Sequence, residues 1–324
     1  MLDQKIRLMV TGGSGFIGTN VIAYYLGKGN YEVLNIDIAA PVDSGYTLVW
    51  KQVDLLDHIT LASVFEDFDP HYVLHLGART DLGGRHIDDY AANVVGVRSL
   101  IVATKKSPSL RRIIFASSML VCKVGYSPQS QKDYCPINAY GESKVAGEKL
   151  VQSSDISCSW LIVRPTSIWG PWFKEPYRNF FDYVLKGKYF HIGNSCIKKT
   201  YGFVGNLVFQ LDALLKADSA LVDGQVFYLG DSSSYVLRDW ANAIARKENN
   251  NIPTVPNIVA KGGALLGDFL GVFGLHFPLT SFRLKNMTTE NCIDLQPIFR
   301  IVPDLPFTQE QAIDLTQRWL KDHP

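Results

Sequence analysis

Paired cysteines, clustered metal ligands and an excess of charge are all missing from this 324-residue sequence. Its five cysteines are scattered without a CxxC spacing, which favours free thiols in a reducing compartment over a disulfide framework or a zinc site. Its seven histidines show no metal-ligand spacing, so we expect no metal. The formal net charge is only +1, and we therefore expect no nucleic-acid partner.

Long apolar runs are scarce as well. The stretch GGALLGDFLGVFGLHFP, residues 262–278, is interrupted by Asp268 and His276 and diluted by five glycines. A helix that spans a bilayer needs roughly 20 continuous apolar residues, so we expect a buried or pocket-lining helix here, with contact to a membrane surface as the alternative. The N-terminus resembles no signal peptide. We expect a cytoplasmic protein without membrane insertion.

Short apolar runs alternate with helix-length segments through the first half of the chain. The apolar runs predict strands over 6–10, 32–36, 47–50, 72–76, 112–116, 159–163 and 225–230. The segments between them predict helices over 16–28, 58–68, 89–105, 138–153 and 205–217. Because the runs are almost wholly apolar, the strands should be buried on both faces. This alternation predicts an α/β protein with a doubly wound parallel sheet.

The loop VTGGSGFIG joins the first predicted strand to the first predicted helix. Gly13, Gly15 and Gly18 match GxGxxG, and Gly12 with the last two matches the related GxxGxxG. Such glycines permit a tight turn and a close approach of the backbone to a pyrophosphate, while the helix N-terminus offers free N–H groups. The alternative is a glycine-rich structural turn.

This loop predicts a Rossmann-type dinucleotide-binding domain over residues 1–165, completed by about 201–235. Residues 166–200 and 236–324 would form a smaller C-terminal substrate-binding lobe.

Two aspartates follow the second and third predicted strands. Asp37 lies 19 residues after Gly18, where its carboxylate would bind the ribose hydroxyls and repel a 2′-phosphate, which favours NAD over NADP. Asp54, followed by Leu55, would reach the adenine edge. The alternative for Asp54 is a helix N-cap, a role that suits Asp57.

The segment AYGESK places Tyr140 and Lys144 four residues apart, behind Asn138 as a suitable helix N-cap. In a helix this spacing puts the phenol beside the ammonium, which favours a phenolate. The alternative is two surface side chains that share a common spacing. Ser117 and Ser118 end the fifth strand, so one hydroxyl would hold a substrate oxygen while the tyrosine exchanges its proton. The set predicts hydride transfer between a sugar-like alcohol or ketone and nicotinamide.

Six features occur in the order and spacing of a known enzyme class: TGGSGFIG, Asp37, FASSMLV, YGESK, VRPTSIWGP and YGFVGNLV. Over roughly residues 5–235 the chain resembles the extended short-chain dehydrogenases/reductases, in particular the NAD-dependent epimerase/dehydratase family that acts on nucleotide sugars. The resemblance implies Tyr140 as the acid/base, Lys144 as the group that binds the nicotinamide ribose, and Ser118 as the catalytic serine. It also implies NAD, a nucleotide-sugar substrate and a homodimer formed through the helix that carries Tyr140.

The expected contacts form two sets. The expected cofactor contacts are Gly12, Gly15, Phe16, Ile17, Gly18, Asp37, Asp54, Leu55, Leu76, Gly77, Ala78, Asn93, Ser117, Tyr140, Lys144 and Pro165. The expected substrate contacts are Thr80, Ser118, Ser167, Lys199 and Arg283. Two of these residues have alternatives: Asn93 would instead be structural, and Lys199 would instead be a solvated surface lysine. Arg79, which is in neither set, would bind a phosphate or carboxylate or form a salt bridge within its own loop.

Departures from the family pattern bear on the reaction. Met119 and Leu120 stand where dehydratases carry an acidic pair, so no carboxylic acid is available to expel the C6 hydroxyl. Ser167, Trp169 and Asn206 replace residues common near the substrate, which indicates an altered pocket.

The leading interpretation is an epimerase acting at C4 of a nucleotide-linked hexose. A reductase of 4-keto sugars and a steroid or small-carbonyl dehydrogenase are the alternatives on the same fold. A cofactor-sensing protein without turnover is a third, against which the intact catalytic set argues.

Overall fold

The computed structural model describes residues 5–275 and 279–323. Its strands are β1 Ile6–Thr11, β2 Tyr31–Asp37, β3 Trp50–Gln52, β4 Tyr72–His75, β5 Arg112–Ala116, β6 Ser159–Pro165, β7 Ser167–Trp169, β8 His191–Ile192, β9 Lys198–Lys199, β10 Tyr201–Phe203, β11 Val226–Leu229, β12 Tyr235–Val236 and β13 Thr254–Val255.

Helices connect most of these strands. The α-helices are α1 Phe16–Lys28, α2 His58–Phe68, α3 Ala91–Thr104, α4 Ala139–Ser153, α5 Tyr177–Leu185, α6 Val204–Lys216, α7 Ser219–Val222, α8 Leu237–Arg246, α9 Asn257–Val272, α10 Ser281–Thr288, α11 Gln296–Phe299 and α12 Gln309–Asp322. Short 3₁₀ helices cover Ser44–Val49, Ile87–Tyr90 and Met119–Val121.

The main sheet has seven strands in the order β11-β6-β5-β4-β1-β2-β3, and each neighbouring pair is parallel. Successive residues of β1 enter different cores: Leu8 and Val10 pack on one face, and Met9 packs on the other. Burial on both faces explains why the strands are apolar along their whole length. The predicted doubly wound α/β sheet is therefore confirmed, and the carboxyl ends of its strands meet at one edge.

The third strand was predicted at 47–50, and this prediction is wrong. The strand is β3, residues 50–52, because only these residues pair with Asn35–Asp37 of β2. The residues before it form the 3₁₀ helix, at whose start the Asp43 carboxylate accepts a hydrogen bond from the Gly45 N–H at 2.9 Å. A local side-chain cap of this kind competes with strand pairing.

The apolar stretch 262–278 was predicted as a buried or pocket-lining helix, and this prediction is wrong too. Its described part belongs to α9 and the turn that follows, where Leu265, Leu266 and Phe269 are exposed. The residues that α9 buries are small, such as Ala260 and Ala264. Residues 276–278 lie outside the described residues. Among those described, no helix has the length and apolar content needed to cross a bilayer.

Candidate active site

The glycine loop packs tightly against the loop that follows β4. Gly12 has φ +71°, and a Cβ there would lie 2.6 Å from Gly77 Cα. A Cβ on Gly18 would lie 2.2 Å from the Gly12 carbonyl oxygen. Neither position has room for a side chain, so this tight turn requires glycine at both, as the turn of a dinucleotide-binding loop does.

Helix α1 begins directly after this loop and presents its first turn to the same edge. Its N-cap is Gly15, which has no side chain to accept from the first N–H groups, those of Phe16, Ile17 and Gly18. The positive end of the helix dipole therefore remains available to an anion. This arrangement fits the pyrophosphate of a dinucleotide.

The two predicted cofactor aspartates differ in their surroundings. Asp37 lies beside the glycine loop, where its carboxylate accepts hydrogen bonds from the N–H groups of Ser14 and Ala39, each at 3.0 Å. The Asp54 carboxylate accepts from the Leu56 N–H at 2.9 Å within its own exposed turn. Asp57 caps α2 by accepting from the Thr60 N–H at 3.1 Å, as predicted.

Helix α4 carries the tyrosine and the lysine, and both side chains are buried. The helix starts at Ala139 because the Asn138 side chain accepts a hydrogen bond from the Gly141 N–H at 2.8 Å. The Lys144 Nζ lies 6.0 Å from the centre of the Tyr140 ring. The alternative of two surface side chains is therefore excluded.

Burial sets the ionisation of this pair. It lowers the pKa of Lys144 from 10.5 to about 8, opposed by the negative charge of Glu148. Burial also raises the pKa of the Tyr140 phenol, although a hydrogen bond with the Ser118 side chain acts in the opposite direction. The phenol is protonated at neutral pH in this state of the protein, so its conversion to phenolate needs further positive charge.

The end of β5 places two serines at the same edge. The Ser118 hydroxyl oxygen accepts from the Leu120 N–H at 3.1 Å and starts the turn Met119–Val121. The Ser117 hydroxyl is buried and has no hydrogen-bond partner among the described residues. A buried hydroxyl of this kind marks a position where a bound polar group fits.

Asn93 joins the loop after β4 to α4. Its side chain accepts from the Arg79 N–H at 2.9 Å and donates to the Arg79 carbonyl at 3.0 Å and to the Ser143 hydroxyl at 2.9 Å. These bonds agree with the structural role that was the alternative for Asn93. They also hold Gly77 and Ala78 close to the helix of Tyr140.

The other predicted cofactor contacts follow strand ends. Leu55 is buried against Gly77, with its Cδ1 2.9 Å from the position of a Cβ there. Leu76 donates its N–H to the Thr11 carbonyl at 3.1 Å, and Pro165 is the last residue of β6.

The predicted substrate residues fall into two groups. Ser167 lies near Ser118, since its hydroxyl is 3.9 Å from the sulfur of the adjacent Met119. Thr80 is exposed in the loop after β4, and Arg283 is exposed on α10. The Lys199 ammonium donates to the carbonyl of Asn286, so it is hydrogen-bonded within the protein and is not a free surface lysine.

Three other side chains that bear on the pocket are engaged within the protein. The Arg79 guanidinium forms a salt bridge with Asp81 at 2.7 Å, which was the alternative to phosphate binding. Trp169 is fully buried among aromatic rings, and Asn206 donates to Asp231 at 2.8 Å. Of the three departures expected to alter the pocket, only Ser167 contacts the segment that follows Ser118, through the Met119 sulfur.

A buried ion pair beneath the site was not predicted. The Arg164 guanidinium donates to both carboxylate oxygens of Glu148, at 2.8 and 2.7 Å, and both side chains are about 1% exposed. Glu148 lies one turn after Lys144, so the ion pair joins α4 to β6. The sequence signal that could have indicated this role for Glu148 is its position four residues after Lys144, on the same face of the helix.

Comparison with known proteins agrees with this geometry. The sequence matches the NAD dependent epimerase/dehydratase family over residues 8–230. The chain belongs to this family. It is therefore an enzyme of the extended short-chain dehydrogenase/reductase type, as the sequence motifs predicted.

Relatives within the family differ in what they act on. The chain is 24% identical to an N-acetyl-alpha-D-glucosaminyl-diphospho-ditrans,octacis-undecaprenol 4-epimerase of Escherichia coli O157:H7, covering 97% of this chain and 95% of the relative. It is 26% identical to a 3-beta-hydroxysteroid dehydrogenase of Mycolicibacterium neoaurum, covering 84% and 77%. The fold matches a UDP-glucuronic acid 4-epimerase from Bacillus cereus, solved with UDP-glucuronic acid and NAD, with a TM-score of 0.75 at 17% identity over 98% of this chain and 100% of that chain.

Proposed function

We propose that this enzyme epimerises C4 of a hexose that is linked through a diphosphate, with NAD as cofactor and a nucleotide sugar as the general substrate class. The observation that carries the proposal is Ser118 together with the buried Tyr140 and Lys144, at the sheet edge that also holds the glycine loop. An open α/β sheet binds its ligands at this edge.

The cofactor site fits NAD. Gly12, Gly15 and the first turn of α1 would hold the pyrophosphate, and the unpartnered Ser117 hydroxyl would meet a polar group of the nicotinamide half. Asp37 beside the glycine loop supports NAD over NADP, because a carboxylate repels a 2′-phosphate. When bound, the cofactor accepts a hydride from the sugar and returns it.

The protein's own residues control the proton. Tyr140 would take the proton of the C4 hydroxyl and later give it back, which is general acid–base catalysis. Ser118 would hold the same oxygen, and its hydrogen bond already favours the phenolate. Lys144 would add positive charge beside the phenol, since its amine is 6.0 Å from the ring.

The side chains after Ser118 favour epimerisation over dehydration. Met119 and Leu120 have no proton to donate, and the Met119 sulfur lies against the Ser167 hydroxyl at 3.9 Å. Loss of the C6 hydroxyl as water requires an acid, so a keto sugar formed here would keep that hydroxyl. The expected product would therefore be the C4 epimer, with no net change in the cofactor.

Two relatives support a diphosphate-linked sugar. The name of the E. coli relative specifies a sugar joined through a diphosphate to a polyprenol, and the B. cereus structure holds UDP-glucuronic acid. The proposed substrate contacts remain Thr80, Ser118, Ser167, Lys199 and Arg283. The similarity to a 3-beta-hydroxysteroid dehydrogenase makes oxidation of a steroid alcohol the second candidate.

Incubation with NAD and candidate diphosphate sugars tests the proposal. Mass spectrometry and chromatography should show a C4 epimer, while the absorbance of reduced nicotinamide stays flat. Stoichiometric consumption of NADH with a 4-keto sugar would instead establish a reductase, and turnover of a 3β-hydroxysteroid would establish the second candidate.

We also propose a cytoplasmic homodimer formed through α3 and α4, where Val95 and Val102 are exposed.

A further inference from the structure

Helix α9 carries its large apolar side chains on the side that faces away from the protein. Ile258 is 80% exposed, Leu265 is 67% exposed and Phe269 is 60% exposed. The side chains that α9 turns inward are small: Ala260 and Ala264 are 2% and 1% exposed. A surface helix of a globular protein normally has the reverse arrangement. Burial within this chain therefore does not explain the choice of residues on α9.

Five exposed apolar residues of α9 and its C-cap lie on one side of the helix. At about 100° per residue, they fall within an arc of about 100° of the helix. We call these residues the α9 face: Ile258, Leu265, Leu266, Phe269 and Phe273. The two phenylalanine rings are in edge contact at 5.1 Å. Contiguous exposed apolar surface of this kind marks a site of interaction with a partner or a membrane.

The chemistry of the α9 face favours a bilayer surface over a protein. None of its side chains can donate or accept a hydrogen bond, whereas protein interfaces contain about one hydrogen bond per 100–200 Å². Lys261 on α9 is exposed, as is Lys285 on α10, the helix that packs against α9. The one acidic residue of α9, Asp268, accepts a hydrogen bond from the Ser281 N–H at 3.1 Å. Phenylalanine and leucine with lysine at the margin are the composition of helices that lie in the headgroup region of a membrane.

A second copy of the chain is a poorer occupant. The homodimer proposed above uses α3 and α4, whereas α9 packs in the chain chiefly against α10. Helix α9 has 16 residues, which gives a length of about 24 Å, less than the roughly 30 Å apolar core of a bilayer. Contact with the membrane would therefore be made along the helix and not across the bilayer.

The α9–α10 hairpin is joined to the catalytic site. The Lys199 ammonium donates a hydrogen bond to the carbonyl of Asn286, in the last turn of α10. The chain then reaches Asn291, whose side-chain oxygen accepts from the Gly125 N–H at 3.0 Å and whose nitrogen lies 4.0 Å from the Met119 sulfur. Met119 directly follows the catalytic Ser118. A surface that binds the α9 face is thus connected to the pocket through a short run of chain.

We propose that the α9 face docks this enzyme onto a phospholipid bilayer surface, and that the docked enzyme takes a sugar whose diphosphate is carried by a membrane lipid. The second clause rests on the proposed function, because it requires a site that accepts diphosphate-linked sugars. The first clause stands on the α9 face alone and has a test that needs no turnover.

Sedimentation of the full-length protein with vesicles of phosphatidylcholine and phosphatidylglycerol tests docking. The wild-type protein should pellet with the vesicles. The double variant Phe269→Gln/Phe273→Gln should partition at least about tenfold less, since two exposed aromatic side chains lose their burial in lipid. The matched control is Ile59→Gln/Leu221→Gln, which changes residues of similar exposure on α2 and α7, 72% and 62%, and should pellet like wild type.

Turnover of a soluble nucleotide sugar should be the same in all three proteins, which shows that they are folded. Wild-type protein that stays in the supernatant, or a Phe269/Phe273 variant that pellets normally, would overturn docking. So would a concentration-dependent oligomer, measured by light scattering, that the same variant abolishes, because a second copy would then cover the α9 face. Turnover without vesicle binding would refute docking and leave the proposed function intact. Vesicle binding without any turnover would support docking and count against the proposed function.

Discussion

The Lys144 ammonium donates a hydrogen bond to the carbonyl of Ala116, the last residue of β5, over 3.0 Å. This bond fixes the amine of α4 to the end of the strand that Ser117 and Ser118 follow. It is also the only hydrogen bond that the described structure records for a buried ammonium in the site, and burial lowers the pKa of that amine to about 8. Positive charge at this point therefore opposes folding until a ligand or phenolate balances it.

Replacement Lys144→Met should stabilise the protein without cofactor while it removes most activity. The shift from 10.5 to about 8 corresponds to about 3 kcal/mol, of which loss of the Ala116 hydrogen bond offsets about 1 kcal/mol. Between these two pH values the unfolded chain binds more protons, so wild-type stability rises with pH there. Denaturant unfolding should show that the free energy of unfolding of the variant exceeds that of wild type by the full amount below pH 8. This difference should shrink as the pH rises towards 10.5. An advantage that is constant across this range would contradict a buried ammonium.

Replacement Tyr140→Phe should reduce epimerisation by about 10² to 10⁴, the usual contribution of a positioned acid–base group. NAD binding, followed by protein fluorescence, should change little, because only one hydroxyl is lost. The control is Tyr24→Phe, whose hydroxyl donates to Asp212 at 3.1 Å on another helix. If Tyr140→Phe retained activity within a few-fold of wild type, Tyr140 would not be the acid/base.

Replacement Ser118→Ala should move the pH–rate profile as well as lower the rate. The Ser118 hydrogen bond lowers the pKa of the phenol, so its removal raises that pKa. The ascending limb of the profile, which follows formation of the phenolate, should shift to higher pH. A rate that falls equally at every pH would assign Ser118 to substrate binding alone.

The sequence predicted best the residues whose role depends on neighbours along the chain. Gly12, Gly18 and the Tyr140–Lys144 pair lie in segments where one strand end or one helical turn determines the geometry. The strand at 50–52 was missed by a few residues because a local cap at Asp43 decided where it begins. The apolar pattern of the sequence alone does not show that a side-chain cap competes with strand pairing at this point.

Features that depend on packing between distant segments were not predicted. Glu148 and Arg164 read as ordinary polar residues until α4 is laid against β6. The orientation of α9 was misjudged because apolar content alone does not show which side of a helix packs. The small residues at 260 and 264 face inward only because α10 lies there, with Leu279 buried against them.

Replacement Gly12→Ala should abolish NAD binding and lower stability, since the added Cβ would lie 2.6 Å from Gly77 backbone atoms and φ is +71°. The matched control is Gly27→Ala on α1, where a Cβ meets nothing within 4 Å and alanine is the better helix former. That change should stabilise by about 1 kcal/mol and leave binding intact. Calorimetric NAD titration and thermal unfolding of both variants check the pair. Normal NAD affinity in Gly12→Ala would show that the cofactor does not use this loop.

Breaking the Glu148–Arg164 pair should be far more harmful than removing it. Glu148→Gln leaves a buried guanidinium without its charge partner, so we expect a loss of about 3–5 kcal/mol in the free energy of unfolding. Glu148→Leu combined with Arg164→Met removes both charges with similar volume, and replacements of this kind are often close to neutral. Urea unfolding of the single and double variants measures the coupling. If the double variant were as unstable as Glu148→Gln, hydrogen bonds from Arg164 to Tyr228 and to the Gln131 carbonyl, at 3.1 and 2.7 Å, would account for its role instead of the pair.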